Sequence, residues 1–367
     1  MSDGSPALKK RIVFIDALRG YAILMMLQGH TVGIVLDDAL RDSSLPVYRA
    51  WHYMTGLTAP TFFFAAGLIF TYLLLKQSNP SERLGKGWRR GLWLMLLGFV
   101  LQLNLSRLVQ SVAGRLEDGV WLKFLTHSHV LQAIGLSLIA LVGLYYLSQW
   151  TKIPLLVSTL ILANVSFVFC PFTKVYDSGE GVGFLLELFF SRERSAFPLF
   201  PWLGFALFGC VAGIATVRWR WFENVRVLIV LFLTGILLSH ALAYPMLYLC
   251  YLPFCDDPST WIQSSIGTYY RLGEVLMLTA LMAALCKWVR MPRFLLASGS
   301  ETLTVYFLHV ILLYGGLFGY GLKSLVSHEL GGWQTVAVAL SVVGSFAILA
   351  LNLPKLRDRW PWLGLLR

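Results

Sequence analysis

An apolar stretch that carries charges constrains this chain more than any other feature. Ile12 to Leu36, IVFIDALRGYAILMMLQGHTVGIVL, is long enough to cross a bilayer, yet it contains Asp16, Arg19 and His30. A charge at the centre of a membrane helix costs about 2.5–3.5 kcal/mol on insertion scales, so such groups face a protein interior or a cavity rather than lipid. Arg19 and His30 are separated by close to three helical turns, so they project from one face about 16 Å apart along the axis. Asp16 sits one turn before Arg19 on the same side. The spacing predicts a polar seam that faces a cavity in a helical bundle, with His30 at its reactive end. The plainer reading of Arg19 is a snorkelling residue with Asp16 as its ion-pair partner.

The rest of the chain repeats the apolar theme. Hydrophobic residues make up 57% and charged residues 13% of the 367 positions, which rules out an ordinary soluble globule. Apolar runs occupy residues 12–36, 57–75, 88–106, 128–147, 153–170, 198–217, 225–247, 269–289, 294–318 and 334–353. The expected fold is therefore all-α, a polytopic membrane bundle of about ten transmembrane helices. Residues 1–11 read as a cytoplasmic leader, 12–353 as a single transmembrane domain and 354–367 as a cytoplasmic tail. The sequence shows neither internal repeat nor low-complexity tract.

A net charge of +11 invites a nucleic-acid reading, but its distribution argues against one. With the N-terminus inside, 19 of the 30 Lys and Arg residues fall in cytoplasmic segments, while Asp37, Asp38, Asp42, Asp256 and Asp257 fall outside. That asymmetry is the positive-inside pattern and places both termini in the cytoplasm. Asp16 and Arg19 interrupt what would be the apolar core of a signal peptide, so the first span is expected to be retained. Cys170, Cys250 and Cys255 lie toward the outer side, where either a disulfide or plain apolar packing fits. His127 and His129 form a His-x-His pair with no third ligand nearby, so no metal is expected.

Candidate chemistry gathers at both ends of the bundle. The inner loop and helix start QSNPSERLGKGWRR supplies Lys76, Arg83, Lys86, Arg89 and Arg90, either as topological charge or as a rim for a polyanionic ligand. All seven histidines map to the outer half or outer loops, and histidine is the natural general base near neutral pH. His30 shares a helix face with Arg19, His52 lies in the loop WHYMTG beside Trp51, and Tyr306 and His309 share a face at i, i+3. The longest outer connection, residues 171–197, includes the amphipathic run VGFLLELFF and reads as a lid over an acceptor.

Several of these segments together resemble a known family. Arg19 and His30, within R-IDALRG and a following histidine, are similar to the opening signature of family-3 membrane acyltransferases. With HYMTGLTAPTFFFAAG, HVLQAIGLSL, FPLFPWLGFALFG and GSETLTVYFLH, the chain more closely resembles bacterial relatives of heparan-α-glucosaminide N-acetyltransferase. The resemblance implies an acyl-CoA-dependent acetyltransferase that carries an acetyl group from cytoplasmic acetyl-CoA to an amine or hydroxyl of an extracytoplasmic glycan. It implies a catalytic histidine, either His30 or His52, the latter standing before GLT near the family's loop histidine. Asp16 would fix Arg19, and Arg19, Lys86, Arg89 and Arg90 would hold the donor's phosphates. Trp51, His129, Tyr306 and His309 would face the acceptor, in a multi-pass protein of a bacterial inner membrane, with a homo-oligomer left open. The competing expectation is a secondary transporter that uses Asp16, Arg19, Glu274, Glu301 and the histidines as a substrate or proton path.

Overall fold

A computed structural model describes residues 12–114, 129–171, 196–255 and 257–366. Among them the regular structure is helical, with only isolated bridges such as Leu36 to Leu330 and Asn104 to Leu317 in extended pairing. Fifteen α-helices are used below: α1 Val13–Val35, α2 Pro46–Thr55, α3 Thr58–Lys76, α4 Pro80–Gln102, α5 Leu105–Val112, α6 Val130–Thr151, α7 Leu155–Val168, α8 Leu199–Trp219, α9 Val225–Leu237, α10 Ala243–Tyr251, α11 Ser259–Trp288, α12 Arg293–Ser300, α13 Thr302–Tyr314, α14 Leu322–Leu325 and α15 Gly332–Arg359. Their ends follow local chemistry. Asn79 accepts from the amide of Ser81 ahead of Pro80 to start α4, and Asn224 does the same for Arg226 at the start of α9. Gly315, at φ +73°, closes α13 in the left-handed conformation that a side chain disfavours.

All ten apolar stretches fall on helices, but not all of them qualify as spans. Among the described residues, six helical segments are long and apolar enough to cross a membrane, and the α12–α13 pair makes a seventh if counted as one. α1 and α4 are diluted by their own polar groups. α7 has 14 residues, about 21 Å of rise against a hydrocarbon core of about 30 Å. The all-helical membrane class therefore stands, while length and composition among the described residues do not confirm the count of about ten. The expected span at 294–318 is broken: α12 and α13 meet at 84°. Glu301, at the corner, leaves helical geometry at φ −110° and ψ 23°.

α1 sits at the centre, packed against α3, α11, α12, α13 and α15. Its approach to α12 is close because neither helix has a side chain at the crossing. A Cβ on Gly299 would overlap the carbonyl of Asp16, and one on Gly20 would overlap the carbonyl of Leu295. α3 and α8 use the same device. Between membrane helices, where lipid is as apolar as leucine, such close backbone approach and dispersion do much of the work of association. The largest apolar cluster joins α1, α3, α8 and α11 through Leu18, Phe63, Phe64, Phe205 and Leu272. A second holds α4, α6 and α13 together through Leu94, Leu97, Leu138 and Leu303.

Candidate active site

One face of α1 opens on a cavity of about 1200 Å³. Its α1 wall is Arg19, Ile23, Met26 and His30, spaced i, i+4, i+7 and i+11, which is the face the sequence spacing marks. α4 contributes Arg83, Lys86, Gly87, Arg90, Leu94, Gly98, Leu101 and Gln102, again a single helical stripe. α3, α6 and α13 complete the enclosure, with His129 just ahead of α6 and Thr302, Leu303, Tyr306, Val310 and Tyr314 on α13. The volume exceeds the roughly 300–1,000 Å³ of common small-molecule pockets, so a large ligand or two reactants fit.

The two ends of this cavity differ chemically. Arg19, Arg83, Lys86 and Arg90 gather at one end, beside Ser300 at the end of α12 and Thr302 at the start of α13. Arg19 donates from Nη2 to Thr302 Oγ1 at 2.5 Å, tying the seam helix to the break. The amino end of α13 carries partial positive charge, so helix and side chains act on an anion with the same sign. At the other end stand His30, Tyr314, Asn104, His129, Lys323 and the backbone of Gly315 to Gly319. Among the described lining residues there are five cationic side chains and no carboxylate. His30 is half-buried, and its Nδ1 lies 3.0 Å from Nε2 of His309, a residue 279 positions away and fully buried. Tyr314 meets the His30 ring edge-on at 5.5 Å between centroids.

The structure thus brings Arg19, His30, Lys86, Arg90, His129 and Tyr306 to one cavity, with His309 directly behind His30. It does not bring the others there. His52 is exposed on α2 and stacks on Tyr48 at 5.8 Å. Its neighbour Trp51 donates to Gln28 Oε1 at 2.7 Å, holding α2 against α1. Arg89 points away, its Nε bound to the carbonyl of Gly85. Successive side chains stand about 100° apart on a helix, so Arg89 is turned away from Arg90, whereas Arg83 lies seven residues, close to two full turns, before Arg90. Arg83 takes that place. Asp16 is half-buried outside the cavity lining, with its backbone carbonyl under Gly299. Glu274 is also remote, buried against Tyr53 and Arg271. All five cysteines, Cys170, Cys250 and Cys255 among them, are free thiols. His127 and the run VGFLLELFF lie outside the described residues.

Thr302, Tyr314 and Lys323 have no counterpart among the sequence-based candidates. A signal existed for part of this: glycines recur at 315, 316, 319 and 321 after the histidine of α13, a pattern of backbone that turns tightly beside a ligand.

Residues 11–253 match the family described as Heparan-alpha-glucosaminide N-acetyltransferase, catalytic. The chain belongs to this family. The match covers more than half of the sequence and includes the seam of α1, the basic face of α4 and His129. Membership makes the protein an integral-membrane transferase of the acetyltransferase type, and its helices fit that placement. α13, with Tyr306 and His309, lies beyond the matched residues. No curated protein matches the chain.

Proposed function

We propose that this protein moves an acetyl group from acetyl-CoA to an amine or hydroxyl of a sugar on the opposite side of a bacterial inner membrane, with His30 as general base. The observation that carries this reading is that Arg19 and His30 line the same cavity, Arg19 with three further cations and His30 among polar groups that include one cation, Lys323. Arg19, Arg83, Lys86 and Arg90 are the residues that would hold the donor's phosphates, with the amino end of α13 adding to their field. The basic end is then cytoplasmic and the His30 end extracytoplasmic, with both termini inside.

The pieces divide the work. About 16 Å of helix between Arg19 and His30 leaves room for an extended thioester arm, so the nucleotide stays at one face while the acyl carbon reaches the other. His30 takes the proton of the sugar's amine or hydroxyl as that atom attacks the thioester carbonyl. A bond to carbon forms, the carbon–sulfur bond breaks, and the imidazolium returns its proton to the departing thiolate. Tyr306 and Gln102 line the cavity and are the groups suited to steady charge on the carbonyl oxygen. Apolar walls from Ile23, Met26, Leu94 and Leu101 limit water and so protect the thioester.

Purified protein given radiolabelled acetyl-CoA is expected to release CoA only when a sugar acceptor is present. H30A should abolish release and H52A should leave it intact; the reverse result would overturn the assignment. A second reading, secondary transport, draws on the 84° break between α12 and α13, since broken helices build substrate sites in transporters. Proton-coupled uptake into liposomes without CoA turnover would favour it.

A further inference from the structure

We infer that His309 is a positioning residue that fixes the tautomer of His30, leaving Nε2 of His30 as the nitrogen that accepts the acceptor's proton. The argument begins at a carbonyl. Nδ1 of His309 lies 2.5 Å from the backbone oxygen of Tyr306, one turn back on α13. A carbonyl oxygen only accepts, so this nitrogen carries hydrogen. A neutral imidazole has a single N–H, and His309 is fully buried, which disfavours the charged form. Its Nε2 therefore presents a lone pair.

That lone pair faces Nδ1 of His30 at 3.0 Å. Two lone pairs at this distance repel, so Nδ1 of His30 is the donor and its Nε2 is left unprotonated. The hydrogens are thus assigned along one chain: His30 Nδ1 donates to His309 Nε2, and His309 Nδ1 donates to Tyr306. His30 lines the cavity while His309 does not, so one ring works at the surface and the other orients it from behind. This is the logic by which a third group orients a catalytic base, with a neutral imidazole where a carboxylate is more usual. The difference has a consequence for acyl transfer. A dipole stabilises the imidazolium less than an anion does, so protonated His30 remains a ready acid toward a leaving thiolate.

The proposal rests on the acetyl-transfer reading for its kinetic part, and its spectroscopic part is independent of turnover. His309→Gln places a carbonyl oxygen where His30 Nδ1 can donate; His309→Phe fills the space and accepts nothing. H309Q should keep turnover within about tenfold, while H309F should lose about 10²–10³-fold in kcat with KM for acetyl-CoA unchanged, in line with the usual worth of general-base catalysis. Calorimetric binding of acetyl-CoA to H309F checks that the variant is folded. A purely structural role predicts equal losses in both variants, or a change in KM, and would overturn the inference. In protein labelled with 15N-histidine, the hydrogen bond should appear as a coupling between a protonated Nδ1 and an unprotonated Nε2, lost in H309F. Absence of that coupling, or one with the protonation reversed, also overturns it. If the coupling is present but no sugar elicits CoA release, the enzyme reading falls and the tautomer assignment stands.

Discussion

Arg357 grips Glu301 with both guanidinium nitrogens, Nη1 to Oε1 at 2.8 Å and Nη2 to Oε2, and so binds the end of α15 to the corner between α12 and α13. Both side chains are largely covered, at 13% and 7% exposed. The pair holds the corner that places Thr302 under Arg19. The segment after it turns back on the same region: Thr304 donates to the carbonyl of Leu366 at 3.0 Å, and Trp93 to that of Leu365 at 2.9 Å.

Breaking this pair on one side leaves a covered carboxylate without its partner, which costs about 3–5 kcal/mol where burial is complete. R357M is therefore expected to lower the unfolding midpoint in detergent by several degrees. The double variant E301Q/R357M should recover part of that loss, because no charge is then left uncompensated. A double variant no better than the single one would show that the pair is not what holds the corner.

On α4, Arg83 and Arg90 line the cavity while Arg89 is exposed. Charge-assisted hydrogen bonds contribute about 1.5–3 kcal/mol each, so R90M and R83M should each raise KM for acetyl-CoA by about tenfold or more. R89M should leave it unchanged, since Arg89 lies off the cavity. Steady-state kinetics over a range of acetyl-CoA concentrations decides the matter. An equal effect at Arg89 would mean that general positive charge, not the stripe, attracts the donor.

Tyr53 is expected to hold the outer helix α2 in place. Its hydroxyl donates to the buried Glu274, which also takes a hydrogen bond from Arg271 at 2.7 Å. Removing one donor from a buried carboxylate costs about 1–3 kcal/mol. Y53F should lower thermal stability by that order, and H52A, at an exposed stacking position, should not.

Two glycines of the central region should respond oppositely to alanine. Gly299 has the backbone of Asp16 against it, so G299A must push α12 away from α1 and weaken the bond from Arg19 to Thr302. Gly33 has open space around its missing Cβ, so G33A should be neutral or stabilise α1 by about 0.5–1 kcal/mol through helix propensity. Thermal unfolding of the two variants side by side measures the difference.

The seam of α1 was legible in the sequence because helical periodicity is a property of one segment. Once Arg19 and His30 lie on one helix, their spacing fixes their common face. On α4 the same rule sets Arg83, seven residues before Arg90, on Arg90's face and turns Arg89 about 100° from it. The break at Glu301 was not legible, since the run from Phe294 to Gly316 is apolar enough to pass for one span.

The chain's own pattern thus determined an all-helical membrane protein with a polar face on its first helix. Tertiary packing alone decided which side chains meet that face. The nitrogen of His309 reaches His30 across 279 positions, and Thr302 reaches Arg19 across 283, while His52, only 22 residues from His30, stays outside. Periodicity orients side chains around their own axis, but the partner is chosen by how helices cross, and the glycines that let α1 and α12 touch act only once both backbones are in place.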